Sequence, residues 1–231
     1  MASPKPEPRF AVALLLSLNA GYVDTSGFLA LQGLFTAHVT GNFVTLGASL
    51  VFGTSGALAK LLALPTFCVF VLLARLLGLA LPRLGRPALP TLLALKVLLL
   101  VAAAGLAIGF GPFPNGDAPL AIVTGLTLVS AMAIQNAAHR LHMSSFPPTN
   151  LMTGSTTQIM IDFGDLLLGE ADGREARRLR LSRTSCAVGA FAFGCAAGAL
   201  LYAKIGVWAF AVPPMIGALT LLKRMGSWAR Q

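Results

Sequence analysis

Six stretches of the chain are close to continuously apolar, at residues 10–33, 61–81, 89–110, 119–139, 184–203 and 206–223. Each is near the roughly 20 residues a helix needs to cross the hydrocarbon of a bilayer. The last is the shortest and contains Pro213 and Pro214, which predicts a kink there. Two further segments, 37–53 and 150–169, are apolar but rich in Thr, Ser, Gly, Asn and Gln. Pattern alone leaves open whether they span or only dip in.

The basic residues bear on that question. They gather at Lys5 and Arg9, at Arg83 and Arg86, along Arg174, Arg177, Arg178, Arg180 and Arg183, and at Lys223, Arg224 and Arg230, while 111–118 has none. If neither polar segment crosses, six spans put every basic cluster on one side and leave only Lys60 and Lys204 on the other. If both cross, Arg83 and Arg86 move outside. Cytoplasmic loops carry the excess of Lys and Arg, so six spans with both termini cytoplasmic are expected. Arg75 and Lys96 flank the Arg83/Arg86 loop in sequence, and snorkelling to the same face is their expected fate.

Composition agrees with this picture. Of 231 residues, 11% are charged and 56% hydrophobic, with mean hydropathy +0.78. A soluble domain carries about a quarter charged residues, so lipid must be part of this protein's solvent. The net charge of +9 sits in loops and tails, which points to topology and anionic lipid rather than nucleic acid. Cys68, Cys186 and Cys195 lie inside apolar runs without metal-ligand spacing. The N-terminal run is expected to be a retained span, because Asn19, Tyr22 and Asp24 follow with no A-x-A-like cleavage site.

The two polar segments resemble each other. Thr36-Ala37-His38-Val39-Thr40-Gly41-Asn42 and Thr149-Asn150-Leu151-Met152-Thr153-Gly154-Ser155 both fit T-x-x-x-T-G-[NS], 113 residues apart. Each follows a long helix ending in polar residues and precedes two apolar spans. The chain therefore reads as one transmembrane domain, 1–231, built of two halves, 10–111 and 119–224. Three full spans per half is an odd number, which makes the repeat inverted in topology. The expected fold is an all-α polytopic bundle of six full spans plus two re-entrant or broken-helix segments. Irregular backbone at membrane depth survives only where protein buries it or water reaches it. Paired breaks in corresponding places of two halves point to a transport site, the alternative being that the T-G pairs only let helices pack closely.

Asp24 lies mid-span, where a carboxylate costs at least ~2.5–3.5 kcal/mol on insertion scales. It is a candidate for binding substrate or proton, with neighbouring Thr25 and Gln32 and, for a proton relay, with His38; the alternative for Asp24 is a hydrogen bond between helices. The first break adds Thr40, Gly41 and Asn42. The second adds Thr149, Asn150, Thr153, Gly154, Ser155 and Gln158, and the helix before it adds Asn136, which aligns with Asp24 if one residue is gapped. His139 and His142 sit beside Arg140 near a helix end and read as interfacial. Asp162 and Asp165 approach the Arg-rich loop, and ion pairing to it is their expected role. No hydrolase, zinc-protease, phosphate-loop or dinucleotide motif occurs, so neither an enzyme nor a cofactor is expected.

The stretch 21–42 (GYVDTSGFLALQGLFTAHVTGN), with 135–140 (QNAAHR) and 148–155 (PTNLMTGS), resembles the YoaK-like family of bacterial integral membrane proteins. That family is uncharacterised and permease-related. The resemblance implies a multi-pass protein of the bacterial inner membrane and carries no site residues with it. The function expected is a transporter or permease for a small polar or ionic solute bound between the halves, with proton coupling as an open branch. A passive channel and a non-transporting scaffold or sensor are the alternatives. The expected partners are the lipid bilayer, the solute or proton and, for so small a bundle, further copies of itself.

Overall fold

The computed structural model describes residues 8–150, 152–169 and 173–228, with side chains for 9–150, 152–169 and 173–223. Lys5, Arg224 and Arg230, which enter the expected placement of the termini, fall outside that side-chain description. The described chain is all-helical: α1 (Pro8–Ala30), α2 (Asn42–Phe52), α3 (Ala57–Arg83), α4 (Ala88–Phe110), α5 (Pro119–His142), α6 (Met152–Leu167), α7 (Arg174–Ile205) and α8 (Val212–Trp228). Short 3-10 turns precede α2 (Val39–Gly41) and α8 (Gly206–Ala211).

Among the described residues five stretches are long and apolar enough to cross a membrane: Arg9–Ala30, Ala57–Arg83, Ala88–Phe110, Pro119–His142 and Arg174–Lys223. The last of these stretches holds both final apolar runs, on α7 and α8, joined through the 3-10 turn. It turns back on itself at Gly206, where φ is +57°. Val207 lies near Gly111 at one end of the bundle, and Leu221 packs among Val12, Ala13 and Leu93 toward the other. The expected kink at Pro213 and Pro214 is absent as such. Both prolines sit in the first turn of α8, where a missing N–H costs no helical bond.

α1 and α5 are the innermost helices, each 67% buried over its apolar window against 22% for α3. α1 runs parallel to α7 at backbone contact. A Cβ on Gly194 would fall on the Leu18 carbonyl oxygen, one on Gly198 on that of Tyr22, and one on Gly21 on that of Phe191. Small residues allow this approach, which supplies van der Waals contact where lipid offers no hydrophobic drive between helices. α3 runs parallel to α5. Asp117, just before α5, accepts from the N–H groups of Gly56 (2.9 Å) and Leu58 (3.1 Å) at the start of α3, and Gly78 meets Leu141 near their other ends. The remaining packing follows the same order: α2 on α3 and α6 on α7, α4 on α5 and α8 on α1, and α4 against α8.

The outside of the bundle is apolar, with Phe43, Val51, Leu72, Val101, Phe193 and Met215 all more than half exposed. An apolar surface of this extent suits acyl chains and not water.

Candidate functional site

The chain leaves the helical path after α1 and after α5, and a polar side chain on each of these innermost helices reaches the segment that follows. After α1 the chain turns through Gln32 (φ +53°) and Gly33 (φ +83°). Gln32 Nε2 donates to the Phe113 carbonyl (3.1 Å) and anchors that turn at the 111–118 end of the bundle. The chain then runs inward. Asp24 Oδ1 accepts from the N–H groups of Thr36 (2.7 Å) and Ala37 (2.8 Å), and more distantly from that of His38 (3.4 Å). Asp24 lies six residues before the end of α1, about 9 Å along the axis at 1.5 Å per residue. Asn42 clamps the fold of this segment, accepting from Phe35 N (2.9 Å) and donating to Phe35 O (2.7 Å). α2 then returns to the end it came from, where Gly116 N donates to Ser55 Oγ (3.0 Å).

The second break is built from different residues. Phe146 stacks on Phe10 (6.5 Å between centroids), and the Arg183 guanidinium lies over both rings at the opposite end of the bundle. The chain then turns inward, and Gln135 Nε2 donates both to Leu16 O (3.0 Å) and to Thr149 Oγ1 (3.2 Å). Gln135, and not the Asn136 of the gapped alignment, thus meets Thr149, but by donating to its hydroxyl, whereas Asp24 accepts from the Thr36 N–H. Thr149 Oγ1 donates to Asn150 Oδ1 (2.7 Å). α6 returns toward the start of α7, where Arg180 Nε donates to Asp162 Oδ2 (2.8 Å) and Arg177 pairs with Asp165 (3.4 Å). Gln158 Nε2 supports Asp162 (2.9 Å).

Between α3, α5 and the two breaks lies a cavity of 480 Å³. His38, Thr40, Asn136 and Asn150 line it, together with Arg75, Arg140 and an apolar wall that includes Leu64, Phe67 and Val71. Four of the residues singled out from the sequence are therefore together in one cavity. Asp24 and Asn42 hold backbone behind it, and Thr149 bonds with Gln135 and Asn150. Gly41 packs on the Phe35 ring, and Thr25 lies by Cys195. Gly154, Ser155 and Gln158 line a second cavity of 560 Å³ with Arg180 and Arg183, and Thr153 lies on an outward groove of α6.

Sequence reasoning passed over Arg75 and Arg140 as cavity residues. A helical-face reading finds them: Leu64, Phe67, Val71 and Arg75 recur at i, i+3, i+7 and i+11, and Asn136 and Arg140 at i, i+4, so each set shares one face. Lys96 also departs from expectation. It is 1% exposed and its Nζ has no partner among the described residues, so it does not snorkel, because α5 and α8 close over that face of α4. His139, expected at the interface, is 6% exposed beneath the 143–150 turn.

Residues 12–222 match the family described as "Protein of unknown function (DUF1275)". The chain belongs to that family. It is also 33% identical over 157 residues to the "UPF0700 transmembrane protein YoaK" of Bacillus subtilis (strain 168), an alignment covering 66% of each chain and so just under two thirds of the relative's length. No solved structure matches the chain. With its apolar helices, this makes it a multi-pass membrane protein of a YoaK-like family.

Proposed function

We propose that the protein is a transporter or permease for a small polar or ionic solute, which binds in the 480 Å³ cavity between two inverted halves. The observation that carries this reading is the convergence of the two helix breaks, which come from opposite ends of the bundle, on one polar cavity. Discontinuous helices meeting at a repeat interface are the arrangement from which secondary transporters build their sites. The pairing of helices supports the halves. α1 on α7 corresponds to α5 on α3, α2 on α3 to α6 on α7, and α4 on α5 to α8 on α1.

In this reading α1, α3, α4, α5, α7 and α8 cross the membrane, and α2 and α6 re-enter from opposite faces. Arg9, Arg86 and His142 share one end of the bundle with Arg183, which favours that end as cytoplasmic in a bacterial plasma (inner) membrane. Proton coupling takes a narrower form than the sequence suggests. His38 lines the cavity, whereas Asp24 reaches it only through the backbone it holds.

The test is uptake by purified protein in liposomes, with a panel of anionic, cationic and neutral solutes. Saturable uptake that follows a pH gradient is the expected result. Flux that neither saturates nor responds to pH identifies a passive channel instead, and no flux of any solute above protein-free vesicles removes the transport reading. If Asp24→Asn leaves uptake unchanged at every pH, Asp24 is no part of the coupling.

A further inference from the structure

Resting on the reading of this cavity as the solute site, we propose that its occupant is the anion of a small organic acid, held by Arg75 and Arg140. No carboxylate among the described residues lines the cavity. Among the described residues neither guanidinium has an ion-pair partner. Arg75 and Arg140 are both exposed at this open cavity, so an entering anion meets two unpaired positive charges. Arg75 stands eight residues before the end of α3, about two helical turns in. Arg140 is on α5, one turn beyond Asn136 on the same face.

The site is built as well as charged. Asn150 is 3% exposed and lines the cavity. Thr149 occupies its Oδ1, and its Nδ2 has no partner among the described residues. The carboxamide is therefore held as a donor, beside the guanidiniums. Planar guanidinium forks match a carboxylate in a way a lone ammonium does not. Asp24 is turned to the backbone N–H groups of Thr36 and Ala37 behind the cavity. Leu64, Phe67 and Val71 supply an apolar wall, which favours an organic acid with a carbon body over sulfate or inorganic phosphate. A volume of 480 Å³ lies in the lower part of the range for small-molecule sites.

The experiment is thermal unfolding of the detergent-purified full chain at constant ionic strength, titrated with sodium butyrate, sodium benzoate, sodium sulfate and choline chloride. Butyrate and benzoate are expected to raise the midpoint saturably, sulfate less, and choline not at all. Arg75→Gln and Arg140→Gln each shift the half-effect concentration at least tenfold, and Arg75→Lys, which keeps the charge without the fork, shifts it by less. Arg178→Gln, on the exposed start of α7, leaves it unchanged. Stabilisation that persists in the Arg75→Gln/Arg140→Gln double variant, or no response to either carboxylate, overturns the proposal. A parallel series in micelles with phosphatidylglycerol or phosphatidylcholine separates the other source of an anion. If phosphatidylglycerol alone stabilises, the occupant is a lipid headgroup and the solute assignment falls. Saturable flux of a cation without carboxylate binding sinks this inference and spares the transport reading, while carboxylate binding without flux does the reverse.

Discussion

A carboxylate at mid-span costs at least ~2.5–3.5 kcal/mol on insertion scales. Hydrogen bonds to a charged acceptor contribute about 1.5–3 kcal/mol each. Asp24 accepts two short ones, from Thr36 and Ala37, so its burial is offset without a solute. Its removal then acts first on folding. Asp24→Ala leaves two buried N–H groups without an acceptor, and the thermal midpoint in detergent is expected to fall by the equivalent of about 2–5 kcal/mol. Asp24→Asn keeps an acceptor oxygen and is expected to lose less than half as much. Equal losses in the two variants would show that the charge, and not the acceptor, is what the first break needs. Asp24 stood out in the sequence because its residue type is rare in a span. Arg75 and Arg140 did not, because arginines near helix ends usually reach the interface, and only the packing of α3 on α5 turns them to one cavity.

Two helix pairs depend on contacts that single substitutions reach. Gly194 and Gly198 bring α7 onto the α1 backbone, and a side chain at either meets carbonyl oxygens rather than flexible atoms. Gly194→Leu is expected to force the helices apart at a cost of about 1–3 kcal/mol or more, measured as a lowered midpoint, whereas the same change at Gly189, which has open space, leaves it within error. α6 is held differently, through Asp162 and Arg180. Asp162→Asn weakens that pair, and amide hydrogen exchange is expected to speed up in α6 while α4 is unaffected. Exchange unchanged in α6 would mean that its apolar contacts with α7 suffice. Both polar segments were visible in the sequence as a repeated T-x-x-x-T-G-[NS] pattern. Their anchors were not visible as equivalents, since one half uses Asp24 and the other Gln135, which share no charge and differ by two residues in spacing from their threonines.

At the scale of the whole molecule the prediction concerns sidedness. In a background with Cys68, Cys186 and Cys195 replaced by Ser, Asn115→Cys is expected to react with an impermeant maleimide in intact cells. Arg178→Cys is expected to react only after the membrane is opened. Both positions are exposed, and labelling of both from the same side contradicts the six-span, inverted arrangement.

Membrane residence, helical class and the position of each apolar run follow from the sequence alone. The transfer of apolar side chains into lipid is additive along the chain and needs no knowledge of neighbours. The tertiary structure decided the rest: that the chain turns back between α7 and α8 at Gly206, that Lys96 is enclosed, that Asp24 faces backbone, and that Arg75, Arg140, His38, Asn136 and Asn150 meet in one cavity. These depend on which faces of non-consecutive helices pack together, and hydropathy, summed residue by residue, does not contain that information.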